Sequence, residues 1–314
     1  MGRTKPRSSF ATAFVTRSYI PLLLALGFIW GASYLLIKLA VAEVAPSTMM
    51  LTRVAVAGLA LLAFVAWRGE LRSLRASRGA YALGVFNSAI PFTLIAWGER
   101  HVDSGVAAIA NATMPIWVAL LAVRWRRDER ATGARAAGIG IGLVGVVVLA
   151  GAVPGGGAWG VAGTLAVVVA SLSYAIASLY GQRLIADVTG PVLATTALIG
   201  ATVALLPLGV AQAPHHAPSL TAIASILALA LLGTALAQLI WFRLLRMFGS
   251  TRASLVTYLL PVTALVYGVT FLGEPLTPSE LVGLALILGG VALGSGAGRR
   301  SRPEPEPEPL PQSP

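Results

Sequence analysis

Gly249-Ser-Thr-Arg-Ala-Ser254 opens an apolar run broken at Pro261; Phe271-Leu-Gly-Glu274-Pro-Leu-Thr-Pro278 then leads into a glycine-rich apolar run that begins near Leu281 and passes Gly290. Each run holds about 18 or more residues, enough to cross roughly 30 Å of hydrocarbon as a helix. With the short acidic turn between them, the two runs read as a membrane-spanning helical hairpin.

The same design stands earlier in the chain. Ser104, Ala107 and Pro115 precede Ser250, Ala253 and Pro261 by 146 positions, and Glu129, Thr132, Gly138 and Gly145 precede Glu274, Thr277, Gly283 and Gly290 by 145. Ser33, Lys38 and Pro46 precede Ser178, Arg183 and Pro191, again by 145. A single match of small residues means little in a membrane helix, but matches at a near-constant offset along the whole length indicate duplication.

Composition agrees. The 314 residues are 56% hydrophobic and 11% charged, with a mean hydropathy of +0.80, outside the range of soluble globular domains. A net charge of +11 would suggest nucleic acid in a soluble domain, but the basic residues here sit in short loops beside apolar runs and act as topology signals. No nucleic-acid partner is expected; the lipid bilayer is. The absence of cysteine removes disulfide and thiolate chemistry.

Ten spans follow: Ile20–Val41, Ser47–Trp67, Ala80–Gly98, Gly105–Val123, Ala136–Ala152, Trp159–Gly181, Pro191–Val210, Leu220–Phe242, Ala253–Gly273 and Leu281–Gly298. Residues 1–19 form a basic tail, 20–152 the first repeat, 153–158 a linker, 159–298 the second repeat, and 299–314 a Pro/Glu tail that can build neither helix nor core. The basic start, the first apolar run and Ala40-Val41-Ala42 also fit a cleaved signal peptide, but the sixth span repeats the polar-dotted pattern of the first, and cleavage would leave unequal halves. With the N-terminus inside, all Lys and Arg except Lys38, Arg53 and Arg100 fall on the inner side, and Glu43, Glu99, Asp103, Glu274 and Glu280 fall on the outer. The expectation is a multi-pass protein of the cell (plasma or inner) membrane with both termini cytoplasmic. Five spans per copy place the second copy upside down, so the fold class is all-α, ten transmembrane helices as two inverted five-helix repeats.

Trp30-Gly-Ala-Ser33, Ala107 through Pro115 with Glu129 and Gly138, and Ala253 through Pro261 with Leu272-Gly-Glu274 and Gly283 resemble the EamA family of the drug/metabolite transporter superfamily. The resemblance covers residues 20–298; the basic Arg124-Trp-Arg-Arg-Asp-Glu129 loop departs from the Leu-Gly-Glu form. It implies export or exchange of amino acids and other small metabolites by alternating access around a central cavity.

No hydrolase, kinase or metal signature is present. Gly155-Gly-Gly157 lacks the Lys-Ser/Thr of a phosphate loop, and the adjacent His215 and His216 do not share a helical face. No catalytic residue, metal or cofactor is expected. Cavity candidates are the mid-depth residues Trp30, Ser33, Asn87, Pro91, Asn111, Pro115, Tyr174, Gln238, Trp241, Tyr258 and Pro261. Amides are costly against lipid, prolines free backbone carbonyls, and aromatic faces can line a solute site, although each of these residues also fits ordinary packing. Lys38 and Arg53 could both snorkel to headgroups, the reading favoured for Lys38; Arg53 is deeper and would bind a carboxylate or phosphate bidentately if it faces the cavity. Glycine stripes in the fifth and tenth spans suit close helix packing or a homodimer face. The expected function is a secondary carrier of small neutral or zwitterionic metabolites; a non-transporting scaffold or receptor and an organic-cation efflux carrier are the alternatives. With Asp, Glu and His confined to loops, facilitated transport or exchange is expected rather than strong proton coupling.

Overall fold

The computed structural model describes residues 9–75, 77–125, 133–151, 157–181, 184 and 188–294. The basic residues before Ser9, Glu129 in its loop, most of the linker, Arg183 and the Pro/Glu tail lie outside these. Among the described residues the regular structure is all helical. The apolar helices are α1 (Tyr19–Val41), α2 (Pro46–Trp67), α3 (Ala80–Gly98), α4 (Ser104–Leu121), α5 (Ala136–Ala150), α6 (Gly157–Gly181), α7 (Gly190–Ala211), α8 (Leu220–Gly249), α9 (Val256–Leu272) and α10 (Pro278–Leu293). Seven have the length and apolarity to cross a membrane; α5, α9 and α10 are shorter apolar helices at the places expected for the fifth, ninth and tenth spans. The helix that contains α1 begins at Ser9, so part of the segment expected as a tail is helical.

Packing repeats the duplication. α2 packs on α7 and α5 on α10; α1 packs on α8 and α9 as α6 packs on α3 and α4; the α2–α8 contact is matched by α3–α7. Exchanging the two copies maps this set of contacts onto itself, as a two-fold arrangement of repeats requires. The outside is apolar: Val147 is 71% and Phe271 66% exposed, a surface suited to lipid. The interior is rich in small and hydroxyl residues, and Thr164, Thr195, Thr196 and Thr202 return their hydroxyls to the carbonyl four residues back.

Small residues let the backbones meet. A Cβ on Gly290 of α10 would lie 2.5 Å from the Gly138 carbonyl oxygen and 2.6 Å from the Gly142 amide of α5. The glycine stripe is therefore occupied by the α5–α10 contact within one chain. A Cβ on Gly84 of α3 would likewise collide with the Ala197 carbonyl of α7.

Among the described residues four helices depart from regular α geometry, some of them beside prolines. Pro91 cannot bond the Asn87 carbonyl, and the turn Val85–Ala89 is a π-helix closed by the Ile90 amide on the Val85 carbonyl. In the other copy a π turn covers Leu231–Leu236, close to the same place in the repeat. A third, Gly268–Leu272, ends α9. α4 is interrupted between Asn111 and Met114, just ahead of Pro115.

Consecutive glycines in α10 test the packing. A Cβ on Gly289 meets nothing within 4 Å, so Gly289→Ala is expected to be neutral or stabilising, whereas Gly290→Ala is expected to cost about 1–3 kcal/mol by forcing α5 and α10 apart. Thermal unfolding in detergent reads the difference; equal midpoints for the two variants would refute the contact.

Candidate functional site

Arg53 lies about two turns into α2 and is 4% exposed. Its Nε donates to Thr234 Oγ1 at 2.9 Å, its guanidinium carbon lies 3.9 Å from the centre of the Phe92 ring, and Nη1 has the Met50 sulfur at 3.9 Å, a weak acceptor. Thr234 stands in the π turn of α8, and its own hydroxyl donates to the Leu229 carbonyl at 3.0 Å. Phe92 meets Tyr174 of α6 edge to face at 6.4 Å. Beside Gly233, a Cβ would come within 3.0 Å of Ser33 Oγ and 3.8 Å of Arg53 Nη2, so α1, α2 and α8 converge there. Tyr34 of α1 accepts from Asn111 Nδ2 at 2.9 Å.

The charge of Arg53 has no acidic partner: among the described residues the ion pair is Arg68 with Glu70 at 2.7 Å. A lone arginine in a membrane helix costs about 2.5–3.5 kcal/mol on insertion scales. One good hydrogen bond and one aromatic face offset part of that and leave the outer fork of the guanidinium for an anion.

Asn111 also lines a recess of about 40 Å³ between α4 and α9, with Pro115, Thr257 and Leu260 among its walls. Pro115 and Pro261 remove the donors that would bond the Asn111 and Thr257 carbonyls, and Asn111 and Thr257 both line this recess. Asn111 Oδ1 and Trp117 Nε1 are buried without hydrogen-bond partners among the described residues. The recess has room for a few waters and not for a metabolite.

Other expected cavity residues lie apart. Trp30 and Trp241 lie 5.6 Å apart with rings tilted at 44° in a cluster around Leu26 and Leu244, and Tyr258 packs with Ile116, Ile139 and Val291. Pro91 and Pro261 are buried within their helices, while Asn87 and Gln238 are half-buried. Sequence reasoning missed Tyr34, Phe92 and Thr234. Thr234 had a usable signal, since it lies within a few residues of the repeat counterpart of Asn87.

The acid-bearing end is tied by carboxylates. Glu274 accepts from the Ser104 amide at 2.9 Å and its hydroxyl at 2.6 Å, placing a negative group on the N-terminus of α4. Gly268 makes room for it, since a Cβ there would strike Glu274 and Ser104. Glu43 accepts from the Ser219 amide and hydroxyl, bonds that hold its carboxyl below the usual range. Burial, aided by the Glu274 charge, raises Asp103. Lys38 does not snorkel to headgroups as expected; its ammonium donates to the Glu99 and Val102 carbonyls at 2.8 and 2.7 Å, capping the end of α3.

A family model described as the EamA-like transporter family matches residues 17–151 and again 161–295. The chain belongs to the EamA-like transporter family. It is 31% identical to the "Uncharacterized inner membrane transporter YedA" of Escherichia coli strain K12, over 88% of this chain and 91% of that one. It is 31% identical to the "Probable terminal-alkyne amino-acid exporter" of Streptantibioticus cattleyicolor, covering 84% and 89%. A "Probable amino-acid metabolite efflux pump" of Salmonella typhimurium is 26% identical over 84% and 90%. A crystal structure at 19% identity shares the fold, with a TM-score of 0.64 over 89% of this chain and 96% of its own. This is a multi-pass membrane protein of a transporter family.

The Glu274–Ser104 contact joins the two repeats. A double-mutant cycle of Glu274→Gln and Ser104→Ala, read by thermal or denaturant unfolding, is expected to give a coupling of about 1.5–3 kcal/mol, as for a hydrogen bond to a charged group. Additive effects would show that the carboxylate does not hold the α4 terminus.

Proposed function

We propose that this EamA-family protein is a secondary carrier that exports small neutral or zwitterionic metabolites, such as amino acids, by alternating access between its two repeats. The observation that carries the substrate class is the buried Arg53 beside Phe92 and Tyr174, with no carboxylate of the described residues at ion-pair distance. Its free guanidinium fork would take the substrate carboxylate bidentately, with the aromatic edges against the side chain. Relatives named as an amino-acid exporter and an amino-acid metabolite efflux pump support that class. Both repeats contribute to the cluster, α1 to α3 from one and α6 and α8 from the other, so rocking one repeat against the other would remake the site on each side. The acid-bearing end faces outward and the termini face the cytoplasm, following the placement of basic residues.

An organic-cation carrier is disfavoured by the same arginine. A cation about 4 Å from it would be repelled by about 4 kcal/mol at an effective dielectric constant near 20. A scaffold or receptor would have no use for an unpaired guanidinium on the pseudo-two-fold region.

Counterflow in proteoliposomes tests the reading. A panel of amino acids is expected to contain saturable substrates, the corresponding decarboxylated amines are expected not to move, and Arg53→Lys is expected to raise KM about tenfold or more at normal abundance. Transport of the amines as good as that of the parent compounds, or Arg53→Met with unchanged KM, would remove Arg53 from the site.

A further inference from the structure

Glu99 closes α3 and is fully buried. Among the described residues neither carboxyl oxygen has a hydrogen-bond partner and no ion pair reaches the group. Such a group does not hold a charge easily: an unpaired carboxylate away from water is far more costly than its neutral acid. The sequence placed Glu99 in an outer loop, and the expectation of a membrane core without titratable groups rested on that placement. The fold instead draws the carboxyl inward, because Lys38 of α1 pins the backbone carbonyls of Glu99 and Val102 and α6 crowds the neighbouring turn. There a Cβ on Gly98 would fall 2.7 Å from Val167 and 2.8 Å from the Gly163 carbonyl.

We propose that Glu99 is a proton-binding site that latches the acid-bearing end: protonated, it fits the closed arrangement seen here, and its ionisation accompanies opening of that end to water. The proton leaves to the admitted water, which then solvates the carboxylate. A group buried in one state and wetted in the other binds its proton more tightly in the buried state, so proton binding and closure favour one another.

The surroundings set the sign. Burial pushes the Glu99 carboxyl well above the usual carboxylate range; Lys38 pulls it back, Glu274 pushes it further up, and Arg53 pulls it down. Tyr34 of α1 also faces it electrostatically. Asp103, on the same turn, faces Glu274 and Lys38, and Glu280 of α10 faces Asp103 and Glu274. α6 crowds this turn with Gly163 and Val167 and carries no titratable side chain between Gly160 and Val167, while His101 stacks on its Trp159. With the closed-state affinity raised, acid favours closure, and rising pH favours opening. The latch rests on the burial of Glu99 alone and stands whether or not the substrate is an amino acid.

The natural chain has no cysteine, so a single introduced thiol reports opening. Val106 of α4 is 2% exposed beside this end, and Ala213 is exposed in the loop after α7. In the full chain in proteoliposomes, labelling of Val106→Cys by an impermeant thiol reagent is measured from about pH 5 to pH 8 and divided by that of Ala213→Cys, which removes the reagent's own pH dependence. The ratio is expected to rise about tenfold with pH, to stay low and flat in Glu99→Gln, and to shift its midpoint to higher pH in Lys38→Gln, where a charge favouring the carboxylate is lost. A flat ratio with Glu99 intact, an unchanged profile in Glu99→Gln, or a midpoint that stays or falls in Lys38→Gln would each overturn the proposal. Since no substrate is present, the outcome is independent of the Arg53 tests.

Discussion

Inside hydrocarbon, burying apolar surface gives helices little reason to associate, so their contacts depend on how closely backbones approach and on which polar groups they must share. The close crossings here answer that constraint with glycine. Gly290 lies against the backbone of α5, Gly84 against the Ala197 carbonyl, and Gly31 of α1 against Thr263 of α9, whose hydroxyl reaches the Gly27 carbonyl at 3.1 Å. Larger residues at these points would separate the repeats and, with them, the Arg53 cluster that both repeats build.

The same constraint explains why irregular backbone and function coincide. A carbonyl deprived of its donor by proline has no lipid to turn to, so it must meet another protein group or a wet space. Pro115 and Pro261 each deprive a residue lining one recess of its helical donor, and Pro91 shifts α3 into a π turn near Phe92. The related π turn of α8 turns Thr234 toward Arg53. The duplication thus supplies a pair of similar distortions, and divergence between the copies decides what each one holds: an arginine partner in α8, an amide-bearing turn in α3.

The fold was legible because its signals are long: apolar runs, a repeated Pro-to-acid spacing, and loop charge that alternates side. The site was legible only in part. Arg53 stood out as a charge deeper in its span than Lys38, and Ser33, Asn111 and Tyr174 lie close to it or to its partners. Trp30, Trp241 and Tyr258 do not, because aromatic residues at mid-depth also serve packing and sequence cannot separate the two uses. Glu99 and Lys38 were misjudged for a single reason. Hydropathy places a residue along the membrane normal but is blind to lateral burial, so an acid at a helix end counts as wet even when neighbouring helices close over it. Phe92 and Thr234 are ordinary members of apolar helices until the tertiary fold brings a guanidinium beside them.

The contacts of α1 have a consequence for the order in which the protein is made. Its partners are remote: Gly27 waits for Thr263, 236 residues later, and Tyr19 donates to the Arg252 carbonyl 233 residues away. At 5–20 residues per second, the first helix spends on the order of 10–50 s without its final neighbours during synthesis. Through that interval its glycine face is left to lipid, water or the insertion machinery, whereas Lys38 meets its carbonyl partners only 61 and 64 residues later, and the chain reaches its native arrangement only after the ninth helix has emerged. Biogenesis, more than equilibrium stability, is therefore where substitutions on the glycine face of α1 would be felt first.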